Sequence, residues 1–331
     1  MSKLKILHAE QTDPWLNLAV EQYLLDTVLP DQVILYIWQN KNTVVIGRNQ
    51  NAWRECATEL LEQEGGKLAR RLSGGGAVFH DLGNLNFTFV TGKALYDLNK
   101  QYTVLLDAVK ALGIPAEMTG RNDLVADGRK FSGNAFCHRK NGSYHHGTLL
   151  VDVDMDKLSR YLRVSTEKMQ AKGVKSVRSR VVNLNEFVPS LTIPMMIQSL
   201  RESFELHYGK VQETEVGFNG LPKEEIESLF QQYSSWEWLY GEAPAFDIKI
   251  NDKFDWGEIQ LHFELKDGLI HRALVYSDAM DEKFILALRD CFKEKRLRTS
   301  DLIFHIKEQF RDPVYEHQIS DIVNMLENRD L

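Results

Sequence analysis

The sequence predicts an α+β protein of two domains: a large one over residues 1–233, and a small α/β one over 246–331, joined by an aromatic linker at 234–245. Three observations lead there. The chain has 331 residues, enough for two domains and a sizeable core. Helical stretches and β-rich stretches are interspersed without any internal repeat. After Phe246 the pattern changes to three strands followed by three helices.

Composition narrows the function classes. The net charge of −7 argues against a dedicated nucleic-acid binder. Cys56, Cys137 and Cys291 are few, odd in number and scattered, as expected in a reducing compartment without a disulfide framework. No CxxC pair or Cys/His zinc spacing occurs. The opening MSKLKILHAE is too short and polar for a signal peptide, and no apolar run reaches membrane-spanning length. These features predict a cytoplasmic protein with neither membrane nor nucleic-acid partners.

In chain order, residues 3–7 suit a first strand. Asp13-Pro14 starts a helix, because Asp caps and Pro is tolerated at the first helical position. Trp15, Leu18, Ala19, Gln22, Tyr23 and Leu25 then recur near helical spacing, which predicts a core-facing helix. Residues 33–38 and 43–47 are β-rich, and 39–42 between them read as a hairpin turn. Arg48 follows in a polar loop and suits a ligand or solvent equally. Residues 52–63 predict one short helix, ended by Gly65-Gly66.

The stretch KLARRLSGGGAVFHDLGNLN at 67–86 is the one the chain is organised around. Consecutive glycines give up backbone entropy and packing, so they belong where dihedrals are special or another group approaches closely. Backbone amides there suit an anion, with Arg70 or Arg71 supplying charge. Neither a Walker A loop nor GxGxxG is present. A phosphate site and a tight strand-to-strand turn explain the spacing equally well.

Residues 96–112 have helical spacing. Residues 116–151 form a β-rich block with turn signals at Asp127-Gly128 and Asn141-Gly142. A two-residue turn at Asp127-Gly128 sets Val125 opposite Lys130 and Asp123 opposite Ser132. Alternation then puts Asp123, Val125, Lys130 and Ser132 on one face. Asp123 and Lys130 read either as a catalytic pair or as a cross-strand ion pair. Unbroken alternation turns Cys137 away from that face; only a bulge at Gly133 would reset the phase. His145 and His146, being adjacent on a strand, point to opposite faces.

Helices follow at 156–162, 166–170, 194–208 and 222–233. The segment 172–184 carries Lys172, Lys175, Arg178 and Arg180 without an opposing acid, and suits a solvated run or a cover over an anion. Trp236, Trp238 and Tyr240 predict a linker that packs rather than floats. Beyond it come strands at 246–250, 257–265 and 269–277, with Lys266-Asp267-Gly268 as a hairpin turn, and three helices with no catalytic cluster.

Seven stretches in order resemble the lipoate–protein ligases. They are Asp13-Pro-Trp-Leu-Asn-Leu-Ala19, Thr43-Val-Val-Ile-Gly-Arg48, the run from Arg70 to Asn84, Gly120-Arg-Asn-Asp-Leu124, Arg129-Lys-Phe-Ser-Gly133, His145-His-Gly-Thr-Leu149 and Ser176-Val-Arg-Ser-Arg-Val181. The Trp256-Gly257 region resembles that family's accessory domain. The resemblance implies the biotin/lipoate ligase fold, related to class II synthetases, with mixed sheets flanked by helices. It implies two steps: ATP and lipoate give lipoyl-AMP and pyrophosphate, and a lysine of a lipoyl domain then takes the lipoyl group. Acceptors would be 2-oxoacid dehydrogenase E2 subunits and the glycine-cleavage H protein.

Site roles follow from the same resemblance. Lys130 is the catalytic candidate, contacting both lipoate and phosphate. ATP or adenylate contacts fall on Arg71, Ser73, Gly76, Ala77, Val78, Phe79, Asn122, Gly147, Thr148, Lys130 and Arg180. Lipoate contacts fall on Lys130, Arg71, His80, Asn84, Val45 and Leu72, and Mg²⁺ on Asp123. No tightly bound prosthetic group is implied. Adenylation joins two anions, so a fixed cation must offset their repulsion. Two alternatives stand beside the ligase. One is an ATP-independent amidotransferase of the same fold, using a cysteine thioester at Cys137. The other is a non-catalytic adenylate-binding protein.

Overall fold

Strand pairing sets the frame. A computed structural model describes residues 2–50, 52–119, 123–163, 181–240, 248–266, 269–295 and 299–328. The chain forms two compact units. The first comprises 1–46, 52–72 and 77–239; the second comprises 47–51, 73–76 and 240–331.

In the first unit, β1 (Lys3–His8), β2 (Gln32–Trp38), β6 (Asn84–Gly92), β7 (Ala116–Thr119), β8 (Asp123–Ala126), β9 (Arg129–His138), β10 (Gly142–Leu150) and β11 (Glu213–Val216) build one mixed sheet, in the order β11-β1-β2-β6-β10-β9-β8-β7. A small second sheet, β4-β3-β5, holds β3 (Thr43–Ile46), β4 (Lys67–Arg70) and β5 (Val78–His80).

The large sheet has two different faces. One carries Leu85, Phe87, Phe89, Leu124, Phe131 and Leu149 into a closed apolar core. Helices α4 (Leu98–Ala111) and α6 (Ile193–Tyr208) supply Leu105, Val109, Leu200 and Phe204 to the same core. Ser199 and Ser203 hydroxyls donate to the Ala108 and Val104 carbonyls at 2.7 and 2.8 Å, tying the two helices together. The other face packs on α1 (Pro14–Thr27) and the small sheet, through Leu18, Ala19, Leu25, Tyr36, Val45, Leu72, Val90 and Tyr144. Helix α1 starts as its sequence predicts, with the Asp13 carboxylate accepting from the Trp15 and Leu16 amides and Pro14 in the first turn.

Four local expectations change. Residues 33–47 form no hairpin, because β2 joins the large sheet and β3 the small one. Residues 39–42 carry the chain between layers: buried Asn40 accepts from Asn17 Nδ2 at 3.0 Å, and Asn42 takes a left-handed φ of 44°. The helix at 52–63 divides into α2 (Ala52–Glu55) and α3 (Thr58–Gln63), because Cys56 leaves to bridge Leu162. The hairpin expected at Asn141-Gly142 is present, but its turn sits one residue earlier: the Arg139 amide donates to the Gly142 carbonyl at 2.9 Å and Gly142 begins β10, where a Cβ would overlap a Val28 side-chain methyl. The last change is in β9. Asp127 and Gly128 both take positive φ, as a type I′ turn requires. A register shift between Leu124 and Val125 then makes Phe131 the extra residue of a bulge. Asp123 therefore pairs with Gly133, not Ser132, and Ser132 turns toward the closed core opposite Leu124. Burial of the Phe131 ring in that core accounts for the phase change.

Within the second unit, β12 (Ile248–Phe254), β13 (Gly257–Lys266) and β14 (Leu269–Ser277) form an antiparallel sheet. Ile250, Ile259, Leu261, Phe263 and Val275 pack with Phe284, Leu288, Leu302, Ile306, Ile322 and Leu326 from three helices, Glu282–Asp290, Thr299–Gln309 and Glu316–Glu327. The two short early segments join this unit by backbone bonds: Gly75 N to Ala279 O at 3.3 Å, and Ser277 N to Asn49 O at 2.8 Å. Gly74 lies where a Cβ would overlap the Ala279 carbonyl, and Gly75 has a φ of +90°. Gly76 is exposed, and a Cβ there would meet nothing. No helix among the described residues is long and apolar enough to cross a membrane.

Candidate active site

The second face of the large sheet is ordered in rows about 7 Å apart, two residues along each strand. The first row crosses Trp38, Asn86 and Thr148, then Gly133 and Asp123. The Gly133 amide donates to Thr148 Oγ1 at 3.2 Å, holding that end of the row. The second row is Tyr36, Thr88, His146 and Ala135; the third is Ile34, Val90, Tyr144 and Cys137. Polarity falls along the face, from a charged pair at one end to apolar side chains at the other.

Lys130 and Asp123 make the charged end. Lys130 Nζ lies 2.7 Å from Asp123 Oδ1, and both side chains are partly exposed, at 36% and 39%. The Asp123 carboxylate is a hard oxygen donor at an accessible edge. It suits Mg²⁺, which takes one or two protein carboxylates and completes its shell with water and substrate phosphates. The Lys130 strand also pairs with the chain at Val181, whose neighbour Val182 donates its amide to the Lys130 carbonyl at 2.9 Å. Of the cationic segment at 172–181, only Val181 is among the described residues; Asn122 and Arg180 lie outside them.

The middle of the face is a buried polar cluster. Glu21 projects from α1 and is 1% exposed. Its Oε1 accepts from Thr88 Oγ1 at 2.7 Å and lies 2.8 Å from His146 Nδ1. Trp38 Nε1 donates to the same Thr88 hydroxyl at 3.0 Å. Glu21 stands three residues after Leu18 and four before Leu25, so helical spacing already placed it on the buried side. That was the available signal, and the sequence reading passed over it, as it did Trp38, Asn86 and Thr88.

His80 and Asn84 belong to this interior. Asn40 Nδ2 donates to His80 Nδ1 at 3.1 Å, leaving the ring proton on Nε2, which meets no protein acceptor. Burial first, then Arg71 and His146, push the His80 pKa down to about 3, so the ring is neutral. Asn84 Nδ2 donates to Asn86 Oδ1 at 2.9 Å, while Asn84 Oδ1 and Asn86 Nδ2 find no partner among the described residues. Buried polar atoms without partners are rare enough to need a reason, and a polar ligand segment supplies one.

The two arginines separate. Arg70 donates through Nε to the Trp238 carbonyl and through a terminal nitrogen to the Leu239 carbonyl, both at 2.8 Å. Trp238 returns a bond from Nε1 to the Arg70 carbonyl at 2.9 Å. Arg70 therefore secures the start of the aromatic linker. Arg71 is buried and donates to the Val45 carbonyl at 3.2 Å. Burial pushes its pKa down to about 10, against the opposing pull of Tyr144 and Glu21, and it remains charged at neutral pH.

Val45 and Leu72 lie in the apolar part of this face, and Phe79 is buried on β5. Ala77 and Val78 are partly buried in the first unit, whereas Ser73 and Gly76 fall in the second. Thr148 shares the Gly133 row. Gly147 points to the opposite face, where a Cβ would overlap the Gly133 carbonyl, Phe87 and Asn134. His145 also points there, between Gln101 and Asn134 at 3.0 and 2.8 Å.

Cys137 does not turn away. The bulge resets the phase, so Cys137 lies opposite Tyr144 on the same face as Lys130. The Lys130 ammonium lies beside Gly133, four residues of strand from Cys137, or about 13 Å. Cys56 and Cys291 are also buried, and burial pushes each thiol up to about 12. Among the described residues, Asp255, His317 and Asp321 cluster in the second unit as an exposed ion-pair group.

A family model of the lipoyl protein ligase A/B catalytic domain matches residues 13–205, more than half of the chain. The chain belongs to the lipoate protein ligase family. A model of the bacterial lipoate protein ligase C-terminus matches residues 243–329. Among solved structures, LipL1 of P. falciparum in complex with lipoate is similar at 25% identity and a TM-score of 0.85, over 98% of this chain and 100% of that one. A bi-partite lipoate protein ligase of Thermoplasma acidophilum, studied with its E2 lipoyl domain, is 29% identical at a TM-score of 0.64, over 75% and 100%. A lipoate-protein ligase A bound with ATP is 28% identical at 0.61, over 73% and 99%. The α+β fold, with a separate small C-terminal domain, is that of this ligase family.

Proposed function

We propose that this family member is an ATP-dependent lipoate–protein ligase of the cytoplasm. In the first step the lipoate carboxylate attacks the α-phosphorus of ATP, the bond to the β-phosphate breaks, and pyrophosphate leaves. In the second, the ε-amine of an acceptor lysine attacks the carbonyl carbon of lipoyl-AMP. AMP leaves, and the amine loses a proton. Acceptors are lipoyl domains of 2-oxoacid dehydrogenase E2 subunits and the glycine-cleavage H protein.

One observation supports the reading: the sheet register sets Lys130 and Asp123 at one end of a face, in the row of Asn86 with its unpartnered Nδ2, and the next rows pass through the hydrogen-bonded Glu21, Thr88 and His146 into an apolar end. A chain with an anionic head and an apolar tail matches that gradient. Lys130 offsets charge on the carboxylate and α-phosphate in both steps. Arg71, His80 and Asn84 bind the acyl chain near its head, and Val45 and Leu72 wall its tail. Asp123 holds Mg²⁺, which when bound neutralises the pyrophosphate. Ser73, Gly76, Ala77, Val78, Phe79, Asn122, Thr148 and Arg180 contact the nucleotide, whereas Gly147, packed toward the closed core, serves the site only through its neighbour Thr148. Gly76 fits that role in one respect: neither its φ nor its packing demands a glycine. Residues 1–233 catalyse, 234–245 link and 246–331 are accessory.

Intact-mass analysis of a lipoyl domain tests the proposal. One lipoyl group should appear only with enzyme, ATP, Mg²⁺ and lipoate together. Lys130→Ala should lower the rate by on the order of 10²–10³-fold, as for loss of one electrostatic stabiliser. A folded Lys130→Ala protein with wild-type turnover contradicts it.

A further inference from the structure

We infer that Gly133 is a positioning residue for Lys130, an inference that rests on the reading of Lys130 given above. Glycine inside a strand costs order and packing, so a reason is required. The backbone supplies none, because the φ of Gly133 lies outside the left-handed region that only glycine tolerates. Packing supplies none either among the described residues: there a Cβ built at Gly133 meets only Cε and Nζ of Lys130 within 4 Å, each at 3.1 Å. Gly147 is the contrast, since a Cβ there would run into the Gly133 carbonyl, the Phe87 ring and the Asn134 side-chain oxygen.

The bulge explains why the two residues meet. With Phe131 as the extra residue, Lys130 and Gly133 fall on the same face, and Gly133 lies directly opposite Asp123. The lysine side chain lies over the bare Cα of Gly133 and delivers Nζ to Asp123 at 2.7 Å. A methyl group at 133 would force the end of that side chain away, because non-bonded carbons settle at about 3.5–4.0 Å. The end of the side chain would have to give by a few tenths of an ångström. Since a misplacement of about 1 Å can cost on the order of 10²-fold, a shift of this size is expected to cost about tenfold.

The test is a double-mutant cycle with wild type, Gly133→Ala, Lys130→Ala and the double variant. Lipoyl-AMP formation gives the rate. Calorimetric binding of a non-hydrolysable lipoyl sulfamoyl-adenosine gives a second readout that does not need turnover. Thermal midpoints check folding, and Gly133→Ala should match wild type or exceed it. The inference expects Gly133→Ala to lower kcat about tenfold or more and to weaken binding. In the Lys130→Ala background the same change should alter either readout less than about twofold, because the group it acts through is gone. Wild-type behaviour of Gly133→Ala, with Lys130→Ala impaired, overturns the inference alone. Equal losses in both backgrounds overturn it in favour of a direct clash between Cβ and ligand. Wild-type behaviour of Lys130→Ala overturns the reading of the site, and this inference with it.

Discussion

His80, on the small sheet, and His145, on the closed-core face of the large one, are both buried and both neutral. Burial holds His80 down to about 3, with Arg71 and His146 adding to it. Burial, then His146, holds His145 well below its ordinary value. In the unfolded chain both regain a pKa of about 6.5. As pH falls below about 6.5, the unfolded chain binds protons that the native protein refuses, so stability is lost on the acid side. The slope is at most about 1.4 kcal/mol per pH unit for each histidine. Urea unfolding between pH 7.5 and 5 should show the midpoint declining from near pH 6.5. A midpoint unchanged across that range contradicts two buried neutral rings. The sequence placed the adjacent His145 and His146 on opposite faces, which follows from strand alternation alone. It did not reveal that Glu21 meets His146, a contact made across 125 positions of chain.

At the scale of elements, turn chemistry was legible and phase was not. Asp127-Gly128 announces a type I′ turn, and the structure has one. Lys130 and Asp123 share a face as alternation required. The residues beyond them do not follow it, because burial of Phe131 in the closed core inserts a bulge. A bulge is decided by the packing of a distant core, which a local pattern does not record. The runs at 33–38 and 43–47 illustrate the same limit: both are strands, but composition does not say which sheet a strand joins. The phase change matters for Cys137, which now shares the Lys130 face, four residues along the strand from the Gly133 over which the ammonium lies, or about 13 Å. A thioester there would leave the acyl group about that far from the Lys130 cation. Cys137→Ser should therefore retain most of the ATP-dependent transfer to a lipoyl domain, within about threefold, since only one small buried group changes. Abolished transfer in a folded Cys137→Ser protein would favour the amidotransferase.

The whole molecule is two units with separate apolar cores, and the change of pattern after Phe246 foretold the second. What the pattern did not foretell is that Gly47–Asn51 and Ser73–Gly76 belong with the C-terminal residues. Both segments are short, polar or glycine-rich, and carry no periodicity to assign them. Their tie is made by backbone bonds such as Gly75 to Ala279, which depend on no particular side chain. The glycine run was legible as a place of special backbone or close approach. Gly75 and Gly74 answer to those two reasons in turn. In the proposed function, lipoate is activated as an adenylate before any acceptor is involved. Exchange of labelled pyrophosphate into ATP measures that step directly, with no lipoyl domain present. Exchange should require both lipoate and Mg²⁺ and fall on the order of 10²–10³-fold in Lys130→Ala. Lipoate-independent exchange, or none at all in a protein that still transfers lipoyl groups without ATP, would contradict it.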